Sequence, residues 1–218
     1  MTTTVEIRPQ VALSLTRSPV VGVVRTGSYD EASRQARLFA GAGIELVEIT
    51  FSVPDAPRLV REMLAARPEG GPPWIGMGTV TTAERAREAV LAGSEFIVTP
   101  NVSSDVARIA RGAGLYLILG ALTPTEVVLA RELGADLVKV YPLPPVGGPL
   151  YLSTIRQPLG DIPMLAGGGF SVDEIPAYAR AGAVAFGIGA PLLGAEDEES
   201  RGRIARALAL ARVGKEER

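Results

Sequence analysis

Leu137-Val138-Lys139-Val140-Tyr141-Pro142 is an apolar, β-branched run interrupted by a single charge. Read as a strand, it turns Val138 and Val140 to one side and Leu137, Lys139 and Tyr141 to the other. Seven more runs of this kind surround it, so that the set lies at 20–24, 46–51, 74–80, 96–100, 116–122, 137–143, 164–168 and 184–188. Helical periodicity fills the gaps, at 29–42, 56–66, 83–92, 105–112, 125–133, 172–181 and 200–213. Thr81 or Thr82, Ser103 or Ser104, Thr123 and Ser171 stand where N-caps belong. Ala42-Gly43, Ala92-Gly93, Leu133-Gly134 and Ala181-Gly182 close helices ahead of the next strand.

Strands that are apolar on both faces, alternating with helices about eight times, predict a (β/α)8 TIM barrel. A doubly wound open sheet is the alternative. Residues 5–17 are expected to form an extra N-terminal helix closing the barrel bottom. Residues 142–149, rich in proline and glycine, read as a long loop, and the polar stretch from Gly194 holds the last helix and then frays. No composition shift marks a domain boundary, so residues 1–218 are expected to form one barrel domain.

Composition narrows the chemistry. The 218 residues carry a net charge of −2 and include no cysteine and no histidine. A triad built on histidine, a cysteine nucleophile and a histidine-bound zinc site are therefore ruled out. A metal would have only oxygen ligands, which suits magnesium. The absence of a broad basic field argues against nucleic acid or an anionic membrane as partner. The start, Met1 to Arg8, lacks a basic segment followed by an apolar block, and the apolar stretch 112–122 is too short to span a bilayer. A cytoplasmic location is expected.

Two lysines stand among the 22 basic residues. Lys215 lies in a polar tail and reads as a solvated charge. Lys139 lies inside a strand, where a lone ammonium costs several kcal/mol unless it loses its proton or finds a partner. An uncharged amine in such a place can attack a carbonyl and form a Schiff base. In the second run, alternation turns Val47 and Ile49 outward and Glu48 and Thr50 inward, so a carboxylate shares the interior with the amine. Arg25 ends the first run, Thr79 the third and Pro100 the fourth. Gly167-Gly168-Gly169 and Gly187-Ile188-Gly189 end the last two. Strand C-terminal ends are where barrels place their chemistry, and the last two loops commonly bind phosphate through backbone N–H groups. Each residue has a plainer reading beside this one. Lys139 and Glu48 would make a buried structural ion pair, Arg25 a solvated side chain, and Thr79 the start of a helix cap.

Several stretches together resemble the 2-keto-3-deoxy-6-phosphogluconate (KDPG) and 4-hydroxy-2-oxoglutarate (KHG) aldolases, with the related 2-keto-3-deoxy-6-phosphogalactonate (KDPGal) aldolases. They are Val47-Glu48-Ile49-Thr50, Gly76-Met77-Gly78-Thr79-Val80, Ile97-Val98-Thr99-Pro100-Asn101, Thr123-Pro124-Thr125-Glu126, Val138-Lys139-Val140-Tyr141-Pro142 and Gly168-Gly169-Phe170-Ser171. The resemblance runs from about Pro19 to Leu193. It implies that Lys139 forms the Schiff base and Glu48 is the general acid/base. It further implies that Arg25 and Thr79 hold the substrate, with Thr79 near the pyruvate carboxylate and Pro100 lining the pocket. Gly168, Gly169, Ile188 and Gly189 would supply phosphate-binding backbone. A homotrimer, a small-molecule substrate and no metal or organic cofactor are implied as well.

Three positions depart from the family. Ser52 stands where members cleaving phosphogluconate often have arginine. Ala190 stands where serine is common, and Tyr141 replaces a common phenylalanine, adding a hydroxyl near the amine. The first two leave open which keto-deoxy acid is cleaved and whether it is phosphorylated, although the 97–101 stretch leans toward the phosphogalactonate branch. 4-Hydroxy-2-oxoglutarate and unphosphorylated 2-keto-3-deoxy acids are the alternative substrates. An epimerase or isomerase barrel would not need Lys139. A non-catalytic sugar-acid-binding barrel would keep the pocket without the reaction.

Overall fold

A computed structural model describes residues 7–68 and 70–216, with side chains described as far as residue 212. Eight strands, β1 (Val20–Val24), β2 (Leu46–Thr50), β3 (Trp74–Gly78), β4 (Phe96–Val98), β5 (Tyr116–Ala121), β6 (Leu137–Val140), β7 (Met164–Gly167) and β8 (Ala185–Ile188), pair in parallel and in sequence order. β1 also pairs with β8, which closes the barrel. The helices are α1 (Ile7–Arg17), α2 (Tyr29–Gly41), α3 (Ala56–Ala66), α4 (Ala83–Leu91), α5 (Ser104–Gly112), α6 (Pro124–Glu132), α7 (Gly148–Arg156), α8 (Ile175–Arg180) and α9 (Asp197–Glu216). Among the described residues, no helix is long and apolar enough to cross a membrane.

Strand alternation sorts the apolar side chains into two cores. Val47, Ile49, Val138 and Val140 face the helices, while Val21, Leu46, Phe96, Ile118, Leu137 and Leu165 fill the barrel interior. Each fully buried Val, Leu or Ile contributes about 1.5–3 kcal/mol, so both layers hold the strands in register. α1 plugs the N-terminal end of the barrel. Its Val11 and Leu15 join the interior core, and Ser14 Oγ accepts a hydrogen bond from Trp74 Nε1 at 2.8 Å. Arg8 pairs with Asp136 and Arg17 with Glu45 at the rim.

The caps follow the local sequence. The hydroxyls of Thr82, Ser103 and Thr123 accept from the N–H groups of Arg85, Val106 and Glu126, three residues on. Gly43, Gly93, Gly134 and Gly182 all take positive φ past their helices.

Several elements differ from expectation. The strands stop short because the last residues of most runs leave the ladder for the mouth: Thr79 turns to φ 58°, and Pro142 has no N–H to donate. The loop expected at 142–149 contains a 3₁₀ turn (Pro144–Val146) and then gives way to α7, which buries Leu152 and Ile155. Pro149 conceals that helix in the sequence, yet a proline is tolerated in a first turn. The helix expected over 172–181 opens as a 3₁₀ turn (Val172–Glu174) before α8, because Pro176 lacks the N–H that a continuous α-helix would use. α9 begins three residues earlier than expected, with Asp197, Glu198 and Glu199 in its first turn, where carboxylates suit the helix dipole. Val5 and Glu6 of the N-terminal helix, residues 217–218 of the fraying tail and the Lys215 side chain lie outside the described residues.

Candidate active site

β2 and β6 lie four strands apart in the eight-strand ring, so inward side chains at one level meet across the interior. Glu48 Oε2 and Lys139 Nζ stand 3.7 Å apart, with side chains 2% and 10% exposed. Attraction at that range in a poorly solvated site is strong, but the distance is too long for a hydrogen bond. Glu48 Oε1 is buried without a hydrogen-bond partner among the described residues. A purely structural buried ion pair has its remaining donors and acceptors satisfied, and this one does not. The ammonium also lies 5.5 Å from the centre of the Tyr141 ring, within cation–π range.

Glycines make the room for this pair. Registers place Gly76 beside Glu48, Gly78 beside Thr50, Gly120 beside Lys139, and Gly167 beside Gly187, all facing inward. Barrel interiors are normally packed with branched side chains at these levels. A Cβ on Gly78 would lie 2.6 Å from Glu48 Cδ and closer still to Oε1, and one on Gly167 would lie 3.0 Å from Lys139 Cε. A Cβ on Gly120 would lie 2.5 Å from Pro100 O, so the bare α-carbon lets the loop after β4 cross the mouth. Bare α-carbons thus clear the space around the amine and the carboxylate in the upper part of the barrel.

Above them, a cavity of about 340 Å³ is lined by Val23, Arg25, Lys139, Tyr141, Pro142, Gly168, Gly169, Gly187, Gly189, Ala190 and Pro191. Its only side-chain polar groups are those of Arg25, Lys139 and Tyr141. Arg25 is exposed and its Nη2 donates to Thr79 Oγ1 at 3.2 Å. Thr79 is one of two non-glycine residues at positive φ among the described residues, the other being Asp55. For a β-branched residue that conformation is strained, and such strain collects at functional sites. Gly168 (φ 128°) and Gly169 (φ 80°) turn the chain after β7 toward the cavity.

Of the residues singled out from the sequence, Arg25, Lys139, Tyr141, Gly168, Gly169 and Gly189 line this cavity. Glu48 meets it through Lys139, and Thr79 through Arg25. Pro100 is half-buried beside Gly120, away from the cavity lining. The Ile188 side chain is buried in the core facing the helices, so at that position only backbone is available to a ligand. Ser52 is exposed and its hydroxyl is spent on Thr50 Oγ1 at 2.7 Å. Gly187, from the glycine cluster at the end of the last run, lines the cavity too, whereas Val23, Pro142 and Pro191 carried no such expectation. Val23 had a signal, since it shares the inward phase of Val21 and Arg25. Among the described residues, no group of three or more carboxylates gathers as a metal-ligand set. A second cavity, of about 290 Å³, lies at the opposite end between α1 and the barrel floor, near Leu15, Tyr116 and Asp136, and contains neither Lys139 nor Glu48.

The family model for KDPG and KHG aldolases matches residues 11–207. The chain is 32% identical to the 2-dehydro-3-deoxy-6-phosphogalactonate aldolase of Escherichia coli (strain K12), over 81% of this chain and 85% of that one. It is 30% identical to the 2-dehydro-3-deoxy-phosphogluconate aldolase of Treponema pallidum (strain Nichols), over 76% and 77%. A solved structure described as native KDPGal superposes with a TM-score of 0.83 at 29% identity, covering 92% of this chain and 98% of that one.

Proposed function

The chain belongs to the KDPG and KHG aldolase family, and from that premise we propose a Schiff-base aldolase whose reacting groups are Lys139 and Glu48. The observation that carries this reading is the under-bonded pair itself: an amine and a carboxylate 3.7 Å apart, buried in a floor cleared by glycines and opening on a small-molecule-sized cavity.

The steps follow from those positions. The uncharged Lys139 amine attacks the C2 ketone of a 2-keto-3-deoxy acid, and loss of water with uptake of one proton from solvent leaves a protonated imine. Glu48 takes the proton from the C4 hydroxyl, directly or through a water. The C3–C4 bond breaks, its electron pair moves into the iminium to form an enamine, and an aldehyde leaves. Protonated Glu48 then returns a proton to C3, and hydrolysis of the iminium releases pyruvate, the free amine and the proton taken up when the imine formed. One carboxyl group serves as base and then as acid. The unpartnered Glu48 Oε1 is free to accept the first proton.

Arg25 and the Thr79 hydroxyl form a donor pair suited to the substrate carboxylate, at the β1–β3 side of the mouth. Pro100, beside Gly120, carries the loop after β4 across the mouth. Tyr141 covers the amine with its ring. On the other side, the backbone of Gly168, Gly169, Ile188 and Gly189 suits the phosphate of a 6-phosphorylated KDPG- or KDPGal-type substrate. The competing substrate class is 4-hydroxy-2-oxoglutarate or an unphosphorylated keto-deoxy acid. Two observations favour it, since Ala190 brings no hydroxyl to the phosphate side and Ser52 brings no charge. A single barrel domain over residues 1–218, a homotrimeric assembly, a cytoplasmic location and independence from metal or organic cofactor complete the proposal.

Incubation with pyruvate and borohydride, followed by peptide mass spectrometry, tests the chemistry. An adduct on the Lys139 peptide is expected, and its absence would sink the Schiff-base mechanism. Turnover of matched phosphorylated and unphosphorylated 2-keto-3-deoxy acids then separates the substrate classes. Higher kcat/KM with the phosphorylated acids supports the first class, and the reverse supports the second.

A further inference from the structure

We propose that Arg85, on α4 and outside the cavity, is a positioning residue that holds Thr79 in its strained backbone conformation and so aims the Thr79 hydroxyl at the substrate carboxylate. The proposal rests on the aldolase reading above and adds a residue that neither composition nor motif singles out.

Thr79 sits at φ 58°, a region that β-branched residues avoid. The backbone on either side is already committed. Gly78 O accepts from Phe51 N at 2.9 Å, and Val80 N donates to Val98 O at 3.2 Å. Between these ties lies the Thr79 carbonyl, which accepts from Arg85 Nη1 at 3.2 Å. The same nitrogen donates to Thr81 Oγ1 at 3.0 Å. The guanidinium carbon lies 5.2 Å from the centre of the Phe51 ring. Arg85 is itself well placed, since its backbone N–H donates to the N-cap hydroxyl of Thr82. A half-buried guanidinium fixed by a carbonyl, a hydroxyl and an aromatic face has little freedom left.

The consequence appears on the other side of the peptide. With its carbonyl held, Thr79 presents Oγ1 to Arg25 Nη2 at 3.2 Å. A continuous linkage therefore runs from α4 through Thr79 to the end of β1. Without Arg85, the 79 backbone gains by relaxing to negative φ, and the hydroxyl turns away from Arg25. Gly78 stays tied through its carbonyl to Phe51 N, and Lys139 lies across the barrel beside Gly167, so the movement leaves the amine and Glu48 in place. The loss therefore falls on keto-acid binding and spares the chemical step.

The test compares the unaltered protein with Arg85→Met, which keeps the packing on Phe51, and Arg85→Lys. Two quantities are measured: the pyruvate concentration giving half-maximal borohydride trapping on Lys139, and KM and kcat for cleavage. Arg85→Met is expected to raise half-saturation and KM by about tenfold, the worth of one hydrogen bond plus released strain, with kcat within about twofold. Arg85→Lys restores part of the loss. Glycine at 79 bears no strain at positive φ, so adding Arg85→Met to Thr79→Gly is expected to change half-saturation no further. Additive effects in that double variant would overturn the proposal. So would a fall in kcat at unchanged KM, or a lowered melting temperature with unchanged pyruvate saturation. An unaltered protein that traps pyruvate while Arg85→Met behaves identically removes the Arg85 role alone. An unaltered protein that traps none removes the aldolase reading and this role with it.

Discussion

The Glu48 carboxylate lies against the bare α-carbon of Gly78, so close that a Cβ there would stand 2.6 Å from Glu48 Cδ. The contact is made inside the barrel, where β2 and β3 pair and neither backbone has slack to move. Gly78→Ala therefore displaces the carboxylate rather than the strand. Lys139 lies across the interior and keeps its own space beside Gly167. Turnover is expected to fall by about 10²-fold or more, the usual worth of a positioned general acid/base. The pyruvate–borohydride adduct on Lys139 should persist, and loss of both signals in a folded variant would contradict this division of labour.

Removing the amine has a cost to stability as well as to activity. Lys139→Met abolishes the adduct and pyruvate release, and it also strands a carboxylate that is 2% exposed. Breaking a buried pair from one side costs about 3–5 kcal/mol, whereas replacing both members with apolar groups is near neutral. The double variant Lys139→Met/Glu48→Leu should regain most of the denaturant midpoint lost by the single one. Failure to recover would mean that the pair is not electrostatically isolated in the barrel.

At the far side of the cavity, Gly169 has φ 80° and no heavy atom within 4 Å of the place a Cβ would occupy. Gly169→Ala meets backbone strain and no clash, so it perturbs the β7 loop locally. Phosphorylated substrates are expected to lose about tenfold in kcat/KM as their anchoring N–H groups shift. Half-saturation of pyruvate trapping, which involves no phosphate, should stay within about twofold. Equal losses for phosphorylated and unphosphorylated acids would place the phosphate elsewhere.

The alkaline limit of stability is expected to involve Tyr178. Burial is the main cause that pushes its phenol up to about 12, with the Glu174 charge adding to it. A folded pKa above the unfolded value of 10 means that the neutral phenol belongs to the folded state. Its contribution is full below pH 10 and is lost as pH rises through about 12. Burial also raises Tyr116, with Asp136 acting in the same direction. Tyr178→Phe keeps the ring, which packs 4.4 Å from Phe170, and removes a buried hydroxyl that lacks a partner among the described residues. It is expected to be neutral or slightly stabilising at pH 7, and to flatten the fall in melting temperature between pH 10 and 12. An unchanged alkaline slope would assign that fall to other groups.

Much of this arrangement was legible in the chain alone. Apolar runs at strand length and caps at helix starts depend on nearest neighbours, and period-2 alternation alone turns Lys139 and Glu48 inward. α7 was hidden because Gly147, Gly148 and Pro149 carry loop chemistry locally, and only burial of Leu152 and Ile155 repays helix formation there. The split before α8 was missed because a proline inside a periodic segment marks a break without saying which side stays helical. Arg85 gave no signal, since arginines are common here and its three partners come from the ends of β2 and β3.

By itself, then, the sequence determined the alternation of strands and helices, the inward phase of Lys139 and Glu48, and the absence of histidine and cysteine that narrows the chemistry open to the site. Those properties follow from backbone period and residue chemistry, which act within a few residues. The tertiary structure alone decided that β2 and β6 stand opposite one another, and so set the 3.7 Å separation. It also assigned Gly78, Gly120 and Gly167 to clearing the floor, and gave Arg85 its grip on Thr79. Closure of the ring brings together positions dozens of residues apart, and no local propensity encodes those distances.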